Sequence, residues 1–184
     1  MITFIMAVGR YKFLEQAIMS IVKQSDPNWE LIIFNNKKCE FGVDDKRVKV
    51  IDTDDWHPAK CYNEGIKLAK YHNICIATDD DISFQDRAVI TNYYLNEHEF
   101  VGGSCITTRE DLKPIHYIHV RPFKYEWHRR VANTISLPFA GFRKHAIVPF
   151  REDFQVCYDY LFTLQCAKNG ADIVTTKTPL RLRS

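Results

Sequence analysis

Three short apolar runs at residues 2–8 (ITFIMAV), 29–34 (WELIIF) and 73–78 (NICIAT) alternate with stretches of helical spacing. Each run is nearly continuous in apolar residues, the pattern of a strand covered on both faces. Between the first two, Leu14, Ala17, Ile18, Ile21 and Val22 make one apolar stripe of a helix that Pro27 ends. Before the third, residues 47–52 (RVKVID) alternate as a short strand. Pro58 then opens a helix at its first turn, with Gly65 as an internal weak point. Ser83 and Asp86 stand at capping-box spacing, with Asp in the usual Glu or Gln place, and start a third helix over residues 88–95. Strands alternating with helices predict an α/β domain: a mostly parallel sheet, flanked by helices, with right-handed crossovers. Such sheets bind ligands outside the carboxyl ends of their strands.

The later half is less regular. Residues 100–108 (FVGGSCITT) read as a strand, and residues 159–170 as a helix closed by Gly170. Residues 171–176 (ADIVTT) read as a last strand, and residues 139–154 as loop. The 184 residues fit one domain with a core that needs no disulfide staples. None of the six cysteines forms a C-x-x-C pair, so zinc-ribbon and thioredoxin readings have no support; buried, reduced thiols are expected. A formal net charge of +2 gives no global signal for polyanions. No apolar run reaches the length of a membrane span, and the N-terminus lacks the basic start and cleavage site of a signal peptide. The cytosol, or the inner face of a membrane, is the expected place of work.

The third run ends in Asp79, Asp80 and Asp81. Like charges about 4 Å apart repel by roughly 1 kcal/mol in water and about 4 kcal/mol at a partly buried dielectric. In an extended segment Asp79 and Asp81 share one side and Asp80 the other. Two aimed carboxylates suit a hard divalent cation, Mn²⁺ or Mg²⁺, which turns their repulsion into attraction. The plain alternative is an acidic turn that caps the next helix. Ala7 to Arg10 and Asn35 with Asn36 lie at the ends of the other predicted strands, near the triplet.

Five segments taken in order resemble family 2 glycosyltransferases of the GT-A fold. Residues 2–36 are similar to the family's opening strand, helix and second strand, with the run Q-x-x-P-x-W-E-L-I-I standing here as QSDPNWELII. Residues 59–70 (AKCYNEGIKLAK) resemble its A-R-N-x-G-I helix, residues 77–81 (ATDDD) its D-x-D metal motif, and residues 139–154 the stretch before its catalytic carboxylate. Residues 157–174 resemble its E-D-x-x-L helix. The resemblance implies a GT-A-like, Rossmann-related single domain. Its nucleotide-sugar half spans about residues 1–110, and its acceptor and catalytic half about residues 111–184. It implies transfer of a sugar from a nucleotide diphosphate, UDP favoured, to an acceptor hydroxyl with inversion. Asp81 would hold the cation with Asp79. Ala7, Val8, Arg10, Asn35, Asn63, Asp79 and Asp80 would hold the nucleotide, and Asp159 would act as base. Tyr62 and Tyr158 depart from the family's arginine and glutamate, and Asn35-Asn36 from its paired aspartates.

Residues 115–130 (IHYIHVRPFKYEWHRR) interleave aromatic and basic side chains against one acid, Glu126. Aromatic faces suit sugar rings and bases, and guanidiniums suit phosphates. The resemblance implies that the region after the D-x-D strand faces the acceptor, which makes Arg121, Trp127 and Arg130, with Phe139 further on, candidate acceptor or phosphate contacts. Arg181 and Arg183 are candidates to close over the diphosphate. The acceptor this composition fits is a glycan, a phosphate-bearing polymer or a hydroxylated base in DNA; a solvated basic loop is the plain reading. His116, His119 and His128 lack the spacing of a metal site. A competing class is a non-catalytic nucleotide or nucleic-acid binding module on the same fold. A nucleotidyltransferase is disfavoured because no glycine-rich loop follows the first strand.

Overall fold

The computed structural model describes every residue except 37, 41, 56, 110, 112, 131, 132, 134 and 184, and, at 181–183, the backbone alone. The strands are β1 (Ile2–Ala7), β2 (Trp29–Asn35), β3 (Val48–Asp52), β4 (Asn73–Ala77), β5 (Asp81–Ser83), β6 (Phe100–Thr108), β7 (Pro114–Ile118), β8 (Ala140–Arg143) and β9 (Ile173–Arg183). The helices are α1 (Leu14–Val22), α2 (Pro58–Leu68), α3 (Arg87–Glu97), α4 (Tyr125–Arg130) and α5 (Tyr158–Lys168), with a 3-10 turn at Leu137–Phe139.

One sheet runs in the order β3-β2-β1-β4-β8-β6-β9-β5, and β7 pairs with β6. The first four strands are parallel and in step: Ala7 lies opposite Phe34 of β2, and Met6 opposite Ala77 of β4. Their carboxyl ends therefore come abreast. The alternation along β1 separates two cores. Phe4 and Met6 pack with Leu14, Ile18 and Ile21 of α1, whereas Ile5 packs with Ala59 and Tyr62 of α2 and Phe162 of α5. Each fully buried aliphatic or aromatic side chain contributes about 1.5–3 kcal/mol over its exposed state.

Four expectations change. Residues 140–143 form a strand, β8, which runs antiparallel between β4 and β6. Its glycine explains the seat: a Cβ on Gly141 would lie 2.3 Å from Thr91 Cγ2 of α3. Gly65 is likewise a packing site, since a Cβ there would meet Ile5 Cγ2 at 2.5 Å. The last strand runs on through Pro179, where its register with β6 shifts, an irregularity that tolerates the missing donor. No capping box forms at α3. Asp86 is the N-cap, but its carboxylate accepts from Ser25 Oγ at 2.7 Å, and Ser83 Oγ accepts from Arg87 at 3.1 Å.

Among the described residues no helix is long and apolar enough to cross a membrane. Cys61, Cys75, Cys105 and Cys166 are buried free thiols, Cys39 is partly buried, and Cys157 is exposed.

Candidate active site

A cavity of about 380 Å³ opens over the carboxyl ends of the parallel strands. Ala7, Val8, Gly9 and Arg10 line it from the end of β1, Phe34 and Asn36 from β2, and Thr78 to Asp81 from β4. Pro58, Cys61 and Tyr62 of α2, Ser136 and Pro138, and Tyr158 of α5 complete it. In-register parallel pairing is what gathers these loops.

Asp79 and Asp80 sit in a turn after β4 rather than in an extended run, and Asp81 opens β5. Asp79 and Asp81 are each 7% exposed and face the cavity. Asp80 lines it too, in place of facing away. The Asp79 carboxylate accepts the Gly9 amide at 2.5 Å and the Arg10 amide as well, so it fastens the β1–α1 loop. Arg10 Nη1 donates to Asp80 at 2.6 Å, and Thr78 Oγ1 donates to Asp81. Burial raises the Asp79 carboxyl above its ordinary range; the Arg10 and Gly9 amides pull it back, and the Asp80 charge pushes it up again. This turn offers only oxygen donors, the set a hard divalent cation prefers. Among the described residues no group of three His, Cys, Asp or Glu stands together as a full metal cage. A cation here would take one or two carboxylates and fill its shell with water and phosphate oxygens.

Two expected nucleotide contacts lie elsewhere. Asn35 is 3% exposed and spent on its own turn: its amide nitrogen donates to the Cys39 carbonyl and to Asp52, and its oxygen accepts from the Cys39 amide. Its neighbour Asn36 lines the cavity instead, with a buried Oδ1 that has no hydrogen-bond partner among the described residues. Asn63 donates to the Phe150 carbonyl at 3.0 Å and to Glu152 at 2.7 Å, and accepts the Phe150 amide at 2.8 Å. It pins the loop before α5 and does not line the cavity.

Asp159 lies in the first turn of α5, next to the cavity-lining Tyr158. Asn133 Nδ2 donates to its Oδ2 at 3.1 Å. Cys157 enters the helix with φ of +60°, a left-handed conformation that strains a side-chain-bearing residue. Tyr62 and Tyr158, the two departures from the family pattern, meet with ring centroids 6.3 Å apart. Burial, then the nearby Tyr158, Asp79, Cys61 and Asp159, push the Tyr62 phenol well above its ordinary value, so it stays neutral.

Of the acceptor candidates, Phe139 is 3% exposed in the core, and Arg130 Nε donates to Glu126 at 3.1 Å. Arg121 lies over the Trp127 ring at 5.4 Å. The side chains of Arg181 and Arg183 lie outside the described residues; their backbone pairs with Ser83 and Asp81 of β5. Sequence reasoning passed over Thr78, Pro58, Ser136 and Pro138. Position at strand ends was the only signal for Thr78, and none marked the other three.

The profile described as glycosyl transferase family 2 matches residues 3–148. An uncharacterized glycosyltransferase of Rickettsia bellii is 26% identical over 110 residues, covering 56% of this chain and 16% of that protein. S. aureus TarS 1–349 superimposes with a TM-score of 0.75 at 13% identity, over 100% of this chain and 60% of that one. The same TarS region in complex with UDP gives 0.75 at 14% identity, over 98% and 59%. The mannosyltransferase PcManGT from Pyrobaculum calidifontis, in complex with GDP-Man and Mn²⁺, gives 0.69 at 13% identity, over 99% and 56%. The chain thus spans less than two thirds of each of these proteins.

Proposed function

The chain belongs to glycosyl transferase family 2, and from that premise we propose that it moves a sugar from a nucleotide diphosphate to an acceptor hydroxyl, with inversion. The observation that carries the reading is one cavity, lined by two nearly buried carboxylates, Asp79 and Asp81, and by Tyr158, whose neighbour in the same helical turn is Asp159.

Asp81 and Asp79 would hold Mn²⁺ or Mg²⁺, which offsets negative charge on the departing diphosphate. Ala7, Val8, Arg10 and Asp80 line the same cavity and would hold the nucleotide. Phe34, Pro58 and Tyr62 give the same cavity an apolar wall beside Ala7, and the Asn36 amide is the group that would meet the base edge. Asp159 takes the proton of the attacking acceptor hydroxyl. Its Oδ2 is oriented by Asn133, and its Oδ1 makes no hydrogen bond among the described residues. A UDP-sugar is the favoured donor, with GDP-linked sugars next, in line with the ligands in the TarS and PcManGT structures.

A thermal-shift screen of nucleotide sugars with and without Mn²⁺ tests this. A matching donor raises the melting temperature only when the cation is present. If none shifts it, the donor site is misassigned.

A further inference from the structure

Helix α4 lies on the surface but is firmly held. His128 is 0% exposed, stacked on Tyr160 of α5 at 4.8 Å and packed against Phe123 at 5.4 Å. Tyr160 Oη donates to the Arg129 carbonyl at 3.1 Å. The residue before His128 is Trp127, and it remains 47% exposed. The ring therefore offers a stacking face on a helix that is itself held in place. The Arg121 guanidinium stands over the Trp127 ring at 5.4 Å. Among the described residues Arg121 has no carboxylate partner, whereas Glu126 engages both Arg129 at 2.9 Å and Arg130 at 3.1 Å. Asn133, just beyond α4, donates to Asp159. Through the His128–Tyr160 stack, α4 packs on the same turn of α5 that carries Asp159.

We infer that Trp127 and Arg121 form the acceptor subsite, and that the acceptor is a phosphate-bearing glycan: the indole carries a sugar ring and the guanidinium pairs with a phosphate. The inference rests on Asp159 as the base of the proposed transfer. Single-stranded nucleic acid fits less well. It needs a continuous basic track and successive stacking planes, and here Glu126 occupies two of the arginines beside a single indole.

The test is acceptor binding without any nucleotide sugar, read at the Trp127 indole N–H by NMR. The probes are maltotetraose, its phosphate monoester, and an oligothymidylate. The phosphorylated glycan should move the Trp127 signal and bind about tenfold more tightly than the neutral one. Arg121→Gln should remove that difference, Trp127→Ala should abolish binding of both, and Trp127→Phe should retain it. Equal binding of the two glycans, binding of neither, or tighter binding of the oligothymidylate overturns the assignment. The thermal-shift screen with Mn²⁺ and nucleotide sugars reads the donor site independently, so failure there is told apart from failure here.

Discussion

Arg87 reaches from the first turn of α3 to hold the carbonyl of Pro138 at 3.0 Å. The same nitrogen donates to the Ile76 carbonyl at 2.8 Å, and its partner nitrogen to Ser83 Oγ at 3.1 Å. One guanidinium, 1% exposed, therefore ties the end of β4, the end of β5 and the Ser136–Pro138 wall of the cavity together. No carboxylate pairs with it among the described residues. Arg87→Met strands these acceptors and should lower stability by about 3 kcal/mol in urea unfolding. A loss below about 1 kcal/mol would mean water replaces the arginine without cost.

Asp79 gives a pH signature. Its folded-state carboxyl titrates above its ordinary value because burial outweighs the Gly9 and Arg10 amides. The folded protein thus keeps this proton to higher pH than the unfolded chain does. The stability it contributes is present below the unfolded value, about 3.9, and is lost as pH rises through the raised one. Asp79→Asn should therefore gain stability relative to the parent as pH rises from the unfolded value through the raised one, read as diverging urea midpoints. Asp45 works the other way: Arg47 holds it down to about 2, so its contribution is present above the unfolded value and is lost as pH falls from there through about 2. Parallel midpoint curves for parent and Asp79→Asn would contradict the assignment.

Asp159→Asn separates catalysis from binding. Transfer should fall by roughly 10²–10⁴-fold, the range for loss of a general base. Nucleotide-sugar affinity with Mn²⁺ should be unchanged. A binding module on this fold would show no transfer before or after the change.

The two neighbouring asparagines should behave differently. Asn35→Ala breaks three hydrogen bonds of a buried turn and should cost about 1–3 kcal/mol in stability. Asn36→Ala leaves those bonds intact and should alter the ranking of nucleotides in a binding panel. If Asn36→Ala destabilises and leaves the ranking alone, Asn36 is not the residue that reads the base.

Cys157 holds a left-handed conformation that glycine adopts without strain. Cys157→Gly should therefore raise stability by up to about 1 kcal/mol, after the added chain entropy of glycine is subtracted. A melting temperature below that of the parent would show that the thiol makes contacts worth more than the strain.

β1, β2 and β4 were legible because a strand buried on both faces leaves a continuous apolar run, and β3 because its residues alternate; the parallel order of β1, β2 and β4 follows from the helices between them. The acidic triplet was legible because charge after such a run is costly. β8 was hidden: four residues with two small side chains give no period, and only its neighbours β4 and β6 make it a strand. Asn35 was misjudged because sequence position marks a strand end but not which of two adjacent amides turns inward. Tyr62 and Tyr158 read as separate departures, since 96 positions apart they carry no shared pattern; in the fold they are one contact.

The placing of β8 also decides whether residues 1–110 and 111–184 can be parted. Residue 141 pairs with Cys75 on one side and Val101 on the other. A fragment ending near residue 110 would expose the bare rim of β4 and invite strand exchange or clumping. Cutting the gene there should give two insoluble pieces that recover a native spectrum only when refolded together.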